Sequence, residues 1–361
     1  MTKRISLILA LLWVMLSAAV RPQDNLPAYP PVVPGHALSF PSDYGAHPDF
    51  RTEWWYITGW LETAGGKPLG FQVTFFRSRP PLDQTNPSRF APTELLFAHA
   101  AVSDPALGSL QHEQRAARSG FGLAEAARGD TDVHIGAWSL QRDAGGTYRT
   151  MLDARDFTFE LVLRPPQPPL LQGERGYSRK GPLPAQASYY YSQPQLGVSG
   201  VLTRQGVREN VRGTAWLDHE WSSALLAEQA VGWDWIGINL DDGGALMAFQ
   251  IRDKSGGKFW AGGALRHADG SVTRLPAAAV NFVPRRRWRS PRTGTEYPVS
   301  MQVHAGELAL DLVPLMDDQE LDSRASTGAI YWEGAVTALR GAQVVGHGYL
   351  ELTGYFRRLD L

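Results

Sequence analysis

Residues Glu53–Phe76 read EWWYITGWLETAGGKPLGFQVTFF. Aromatic and β-branched residues fill Glu53–Leu61, a Gly/Pro cluster occupies Ala64–Pro68, and a second such run covers Leu69–Phe76. This pattern predicts two strands joined by a turn, because no apolar face recurs at helical spacing. Trp235–Leu240, the turn Asp241–Gly244 and Ala245–Ile251 repeat the hairpin. Further strands are expected over Thr131–Leu140, Phe157–Leu163, Ala187–Ser192, Gly197–Thr203, Lys258–His267, Glu307–Val313, Ile330–Ala338 and Gly346–Tyr355. Two segments, Gln111–Arg128 and Ser223–Val231, are expected to be weak helices, the second plugging a barrel mouth.

So many strands without covering helices favour closed barrels, since closure removes sheet edges. At 361 residues the chain suits two domains, placed at residues 30–221 and 222–361. The proline-rich stretches Arg79–Pro92 and Pro165–Pro184 are long enough to be lids or linkers.

The N-terminus predicts export. Lys3 and Arg4 precede an apolar run from Ile5 to Leu16, and Ser17-Ala18-Ala19 offers a small-residue cleavage site. Residues 1–19 therefore read as a cleavable signal peptide and the mature protein as periplasmic, an uncleaved anchor being the alternative. There is no cysteine, which excludes disulfides, thiolate ligands and a Cys nucleophile. A net charge of −1 gives no global field toward nucleic acid or acidic lipid. The basic run Arg285–Arg289 reads as a solvated loop. No phosphate-cradling glycine loop, HExxH or GxSxG occurs, and no cofactor is expected.

The chemistry is expected in GTAWLDHEWSS, Gly213–Ser223. If this stretch is extended, Trp216, Asp218 and Glu220 share one face and Leu217, His219 and Trp221 the other. Two acids in a low-dielectric place cannot both ionise cheaply, so one becomes a neutral acid suited to proton donation. Which face looks inward is open. Gly232-Trp233-Asp234-Trp235 sets another acid between two indoles, with Gly237 leaving room for a ligand. Acids ringed by indoles suit protonation of an alkene, the rings sheltering the cation. Asp218, His219, Glu220 and Asp234 are thus the candidate catalytic residues. Trp54, Trp55, Tyr56, His99, Tyr190, Trp221, Trp233, Trp235 and Trp332 are the candidate ligand contacts. Glu53, Glu333 and Glu351 read more simply as structural acids. Adjacent strand residues cannot converge on one ion, so no metal site is expected in Asp218-His219-Glu220.

Taken together, EWWYITGWL (Glu53–Leu61), YYYSQPQLGVSGVL (Tyr189–Leu202), GTAWLDHEWSS, GWDWIGINLDDGGALMAFQIR (Gly232–Arg252), YWEGAV (Tyr331–Val336) and GYLELTGY (Gly348–Tyr355) resemble the carotenoid 1,2-hydratase and AttH family of lipocalin-like proteins. The resemblance covers nearly the whole mature chain. It implies two tandem lipocalin-like antiparallel β-barrels, and hydration of isolated alkenes by acids and aromatics in a pocket. By motif position it points to Asp218, His219, Trp221, Trp233 and Asp234. The export signal sets this chain beside the AttH-like branch, which is associated with ABC-type permeases. Two functions follow as expectations: a cofactor-free hydratase acting on an isoprenoid or lipid-like ligand, or a non-catalytic periplasmic carrier serving an inner-membrane ABC permease. A protein–protein scaffold is the third.

Overall fold

The computed structural model describes residues 27–82 and 86–359. The expected signal peptide lies outside the described residues. The chain is all-β: among the described residues the helical elements are two 3₁₀ turns, Ser42–Tyr44 and Ala277–Ala279. The first sheet takes thirteen strands: β1 (Thr52–Thr63), β2 (Pro68–Ser78), β3 (Leu95–Ser103), β4 (Gln111–Arg118), β5 (Ala124–Ala126), β6 (Asp132–Ile135), β7 (Trp138–Arg142), β8 (Tyr148–Asp153), β9 (Phe157–Arg164), β10 (Leu170–Leu171), β11 (Tyr177–Arg179), β12 (Ala187–Arg204) and β13 (Val207–Ser222). The second takes ten: β14 (Ala230–Leu240), β15 (Ala245–Asp253), β16 (Lys258–Arg266), β17 (Val272–Leu275), β18 (Val280–Arg289), β19 (Glu296–Ala305), β20 (Leu308–Pro314), β21 (Glu320–Ser323), β22 (Ala329–Arg340) and β23 (Gln343–Leu352).

Both sheets are antiparallel and both curl. The first runs β4-β3-β2-β1-β13-β12-β9-β8-β7-β6-β5, and β3 and β4 come round to pack on β6. The second runs β17-β16-β15-β14-β23-β22-β20-β19-β18, and β18 packs on β15 and β16. Each encloses its own apolar core, around Phe71, Phe159 and Trp138 in the first and Ile238, Val303 and Leu350 in the second.

The predicted helices are absent. Gln111–Arg118 is strand β4, and residues 223–229 form bends and turns. Thr131–Leu140 is broken at Gly136, whose positive φ of 59° turns the chain between β6 and β7. Ala187–Ser192 and Gly197–Thr203 are parts of one strand, β12, with a bulge at Pro194-Gln195. The bulge has a purpose in assembly. It turns Gln195 to the second sheet, where its backbone N–H donates to Asn239 Oδ1 at 2.8 Å and its Nε2 donates to Leu240 and Gly244 carbonyls. The basic run Arg285–Arg289 lies in edge strand β18, not in a loop. Its arginines stay exposed and pair outward, Arg286 donating twice to Asp317 at 2.6 Å. A charged edge resists pairing with a second sheet.

Candidate active site between the two sheets

The strands carrying the aromatic motifs are buried on both faces, so alternation sorts their side chains into two different places. In β1, β2, β12 and β13 the pairing register is continuous: Phe76, Trp54, Glu220 and Tyr190 form one cross-strand row, and Tyr56, Asp218 and Ser192 lie in the next. This face looks away from the first barrel, toward the second sheet. The other face, with Glu53, Trp55, His219 and Trp221, looks into the first barrel. In the second sheet Phe249, Trp235, Glu351 and Glu333 form a matching row that faces the first. The cavity sits where these outer faces meet. The site is therefore between the barrels, not in the mouth of one of them.

The cavity measures about 100 Å³ and is partly open. Trp54, Tyr56, Trp233, Trp235, Phe249 and Tyr190 give it aromatic walls, and Asp218, Glu220, Glu351, Gln72 and Lys180 bring polar atoms to it. Leu225 and Leu226, from the segment expected to be a helical plug, close one side.

Asp218 accepts three hydrogen bonds. Ser192 Oγ and Trp216 Nε1 donate to Oδ1 at 2.5 and 2.6 Å, and the Tyr190 hydroxyl donates to Oδ2 at 2.5 Å. Burial outweighs these donors and, with the Glu220 carboxylate adding repulsion, pushes the Asp218 carboxyl up to about 7. Tyr190 in turn accepts from Trp235 Nε1 at 3.1 Å, so Asp218 is wired to an indole of the opposite sheet. Glu220 has a cationic partner: Lys180 Nζ lies 2.9 Å from its Oε1, over the rings of Tyr190 and Phe249.

Glu351 is the acid that sequence reading set aside. Trp233 Nε1 donates to its Oε2 at 2.8 Å, and among the described residues Oε1 has no donor. Burial, reinforced by Asp218 and Glu220, raises it to about 7. Its cross-strand neighbour Glu333 accepts a very short bond from the Tyr56 hydroxyl, and its Oε2 is buried without a partner. Burial and the adjacent Glu351 push the Glu333 carboxyl well above the ordinary carboxylate range. Two carboxyls with raised pKa values, Asp218 and Glu351, thus line one aromatic cavity, and a third, Glu333, stands behind its wall residue Tyr56.

Several predicted site residues lie elsewhere. His219 is wholly buried on the barrel side, bonded to Glu53 Oε1 at 2.8 Å and Tyr191 at 3.0 Å, with Trp55 stacked on it. Trp221 stacks on His47 at 3.7 Å on that same side. Asp234 points into the second barrel, where Arg252 Nε and the Tyr355 hydroxyl donate to it at 3.0 and 2.9 Å. Trp332 is core of the second barrel and donates to the Asp317 carbonyl. His99 stands behind the lining residue Tyr331, at 2.8 Å from its hydroxyl, and burial lowers its pKa to about 3. The residues brought together are Asp218, Glu220, Trp54, Tyr56, Tyr190, Trp233 and Trp235. The room at Gly237 is taken by protein: a Cβ there would meet Trp235 at 2.5 Å and Trp216 at 2.9 Å.

One group among the described residues has metal-like proximity. His47, Glu53 and His219 offer atoms within 4.8 Å of one another. Those atoms already satisfy each other: Glu53 Oε1 meets His47 Nδ1 at 2.7 Å and His219 Nε2 at 2.8 Å, while Arg77 Nε donates to Oε2 at 2.8 Å. A guanidinium in that shell makes it a charge network around Glu53 rather than a cation site.

Comparison with known proteins agrees with this architecture. The chain matches the AttH-like family over residues 31–355. The crystal structure of a protein from Nitrosomonas europaea assigned as AttH shares 58% identity, covers 90% of this chain and 99% of its own, and superposes with a TM-score of 0.85. Kievitone hydratase from Nectria haematococca shares the fold at 15% identity, covering 92% of this chain and 98% of its own, with a TM-score of 0.67. CghA bound to Sch210972 does so at 13% identity, covering 92% and 97%, with a TM-score of 0.53. No curated protein matches the sequence. By the extent of the family match and the near identity of architecture with the Nitrosomonas protein, the chain belongs to the AttH-like family.

Proposed function

We propose that the cavity between the sheets binds an apolar, alkene-bearing ligand of isoprenoid or lipid-like character and hydrates the alkene by acid catalysis. One observation carries this reading: Asp218 and Glu351, from different sheets, face the same aromatic cavity and both titrate near neutrality. Glu351 is the proton donor. It lines the cavity, and its single indole donor stabilises the carboxylate only modestly. The neutral acid protonates the alkene carbon, the C=C pair forms the new C–H bond, and the cation develops between Trp233, Trp235 and Tyr56. Asp218, whose three donors favour its anionic form, takes the proton from water through Tyr190 as the C–O bond forms. The net change is addition of one water; Asp218 then releases its proton to solvent and Glu351 takes one up, which restores the starting state, and no cofactor enters.

The test is incubation with citronellol, which has an isolated trisubstituted alkene, in ¹⁸O-water, followed by mass spectrometry of the product. Labelled diol should form with wild type, and Glu351→Gln should lose at least ~100-fold in rate while still quenching tryptophan fluorescence on binding. Unchanged turnover in Glu351→Gln would remove Glu351 from the mechanism.

A second reading has its own support. Both Asp218 oxygens are engaged by protein donors, as in a carboxylate that merely braces strands. The protein would then be a carrier of an apolar ligand, exported to the periplasm by its N-terminal segment and serving an inner-membrane ABC permease. Ligand returned unaltered from the same incubation, with affinity but no product, selects it.

A further inference from the structure

Beside the aromatic cavity lies a second space of about 300 Å³, and Thr52, Leu225 and Leu226 wall both. Its chemistry is different. Arg51 and Arg358 line it, and among the described residues neither guanidinium has a hydrogen bond or ion pair. Arg51 is half-buried and Arg358 exposed, whereas the fully buried arginines are taken by protein groups: Arg77 by Glu53, Arg252 by Asp234 and Arg266 by Gln167 and Pro168. Ser223, on the same wall, keeps a buried Oγ with no partner. The backbone that carries the two arginines is fixed, since Leu359 N–H donates to the Val231 carbonyl and Arg79 N–H to the Arg51 carbonyl.

We infer that this cleft holds the anionic head of an amphipathic ligand, a carboxylate or a phosphate, while its apolar chain enters the cavity past Leu225 and Leu226. This deepens the ligand-binding reading above and rests on it. Two unpaired guanidinium forks and a hydroxyl are the donor set that recognises such oxygens. Orientation follows from charge. The inner space has aromatic walls and its lysine, Lys180, is already paired with Glu220, so it offers an anion no free cation; the head stays out and the chain goes in. Size agrees: ligand sites usually measure roughly 300–1,000 Å³, and the inner cavity reaches that range only when joined to the outer cleft.

The experiment is a binding titration of citronellic acid, citronellyl phosphate and citronellol, read by tryptophan fluorescence and calorimetry at low and high salt. At least one anion should bind about tenfold or more tightly than the alcohol, with the preference shrinking in salt. The double variant Arg51→Gln/Arg358→Gln should lose that preference and keep the alcohol's affinity. Which anion is preferred separates a carboxylate head from a phosphate head. Equal binding of all three by wild type, or a preference that survives the double variant, overturns the inference and leaves the cavity reading standing. Failure of all three to bind overturns both.

Discussion

Replacing Tyr190 by Phe removes one donor from Asp218 and nothing from the cavity's shape. In the folded protein Asp218 has its pKa raised from 3.8 to about 7, mainly by burial. The native state therefore binds the proton more tightly than the unfolded chain, and stability falls as pH rises from about 4 to about 7, then levels off. The Tyr190 hydroxyl, 2.5 Å from Oδ2, offsets part of that loss by stabilising the anion. A hydrogen bond to a charged group contributes about 1.5–3 kcal/mol, which is roughly one to two pKa units. Tyr190→Phe should thus raise the apparent pKa of Asp218 by that amount. Its destabilisation should be about 1.5–3 kcal/mol larger at pH 9 than at pH 5, where Asp218 is neutral in both proteins. The Trp235 indole also loses its acceptor, but that cost is independent of pH and cancels in the difference. Urea unfolding of wild type and variant at both pH values, followed by tryptophan fluorescence, measures it, and Asp218→Asn should erase the pH dependence. Equal destabilisation at pH 5 and pH 9 would refute the account of how Asp218 is tuned.

Two further predictions concern packing and the charge network. Gly237→Val should destabilise by about 1–3 kcal/mol, because its side chain would collide with Trp216 and Trp235 where the sheets close. An unchanged melting temperature would mean that the sheets are less tightly docked than described. Burial opposes protonation of His47, but the Glu53 carboxylate and Asp43 outweigh it and raise the pKa from 6.5 to about 9. The stabilisation from this raised pKa is complete below pH 6.5 and lost as pH rises through about 9. The melting temperature of wild type should fall over that window, and His47→Gln should flatten the fall; a parallel fall in the variant would count against the assignment.

The strand content and the sharing of a face by Trp216, Asp218 and Glu220 were legible in the sequence, because both follow from a period of two. What the period leaves open is which face meets which neighbour. His219, Trp55 and Trp221 were read as site residues from their nearness in sequence, yet one step along a strand is the opposite side of a sheet. Asp234 illustrates the same parity: its neighbours Trp233 and Trp235 reach the cavity while it turns inward to Arg252. Glu351 and Lys180 were missed for another reason. Each reaches the site only because the second sheet and the Pro165–Pro184 segment close over the first sheet's outer face, a convergence that no local pattern encodes. A faint signal existed in Tyr331/Glu333 and Tyr349/Glu351, pairs spaced two apart on one strand as Trp216 and Asp218 are, and so marking a polar–aromatic face.

A pattern this apolar on both faces raises a question of register. Slipping β1 by one residue against β13 would exchange Glu53, Trp55 and Ile57 for Trp54, Tyr56 and Thr58, and hydrophobicity alone penalises that weakly. The buried polar groups supply the penalty. Glu53 is held by Arg77, His47 and His219 on the barrel side, and Tyr56 by Glu333 on the other. A slipped β1 would take Glu53 away from Arg77, His47 and His219 and Tyr56 away from Glu333, at a cost of several kcal/mol for a buried charge left unpaired. The network around Glu53 thus performs no chemistry in the cavity, but it sets the parity of β1, and that parity is what presents Trp54 and Tyr56 to the cavity beside Asp218.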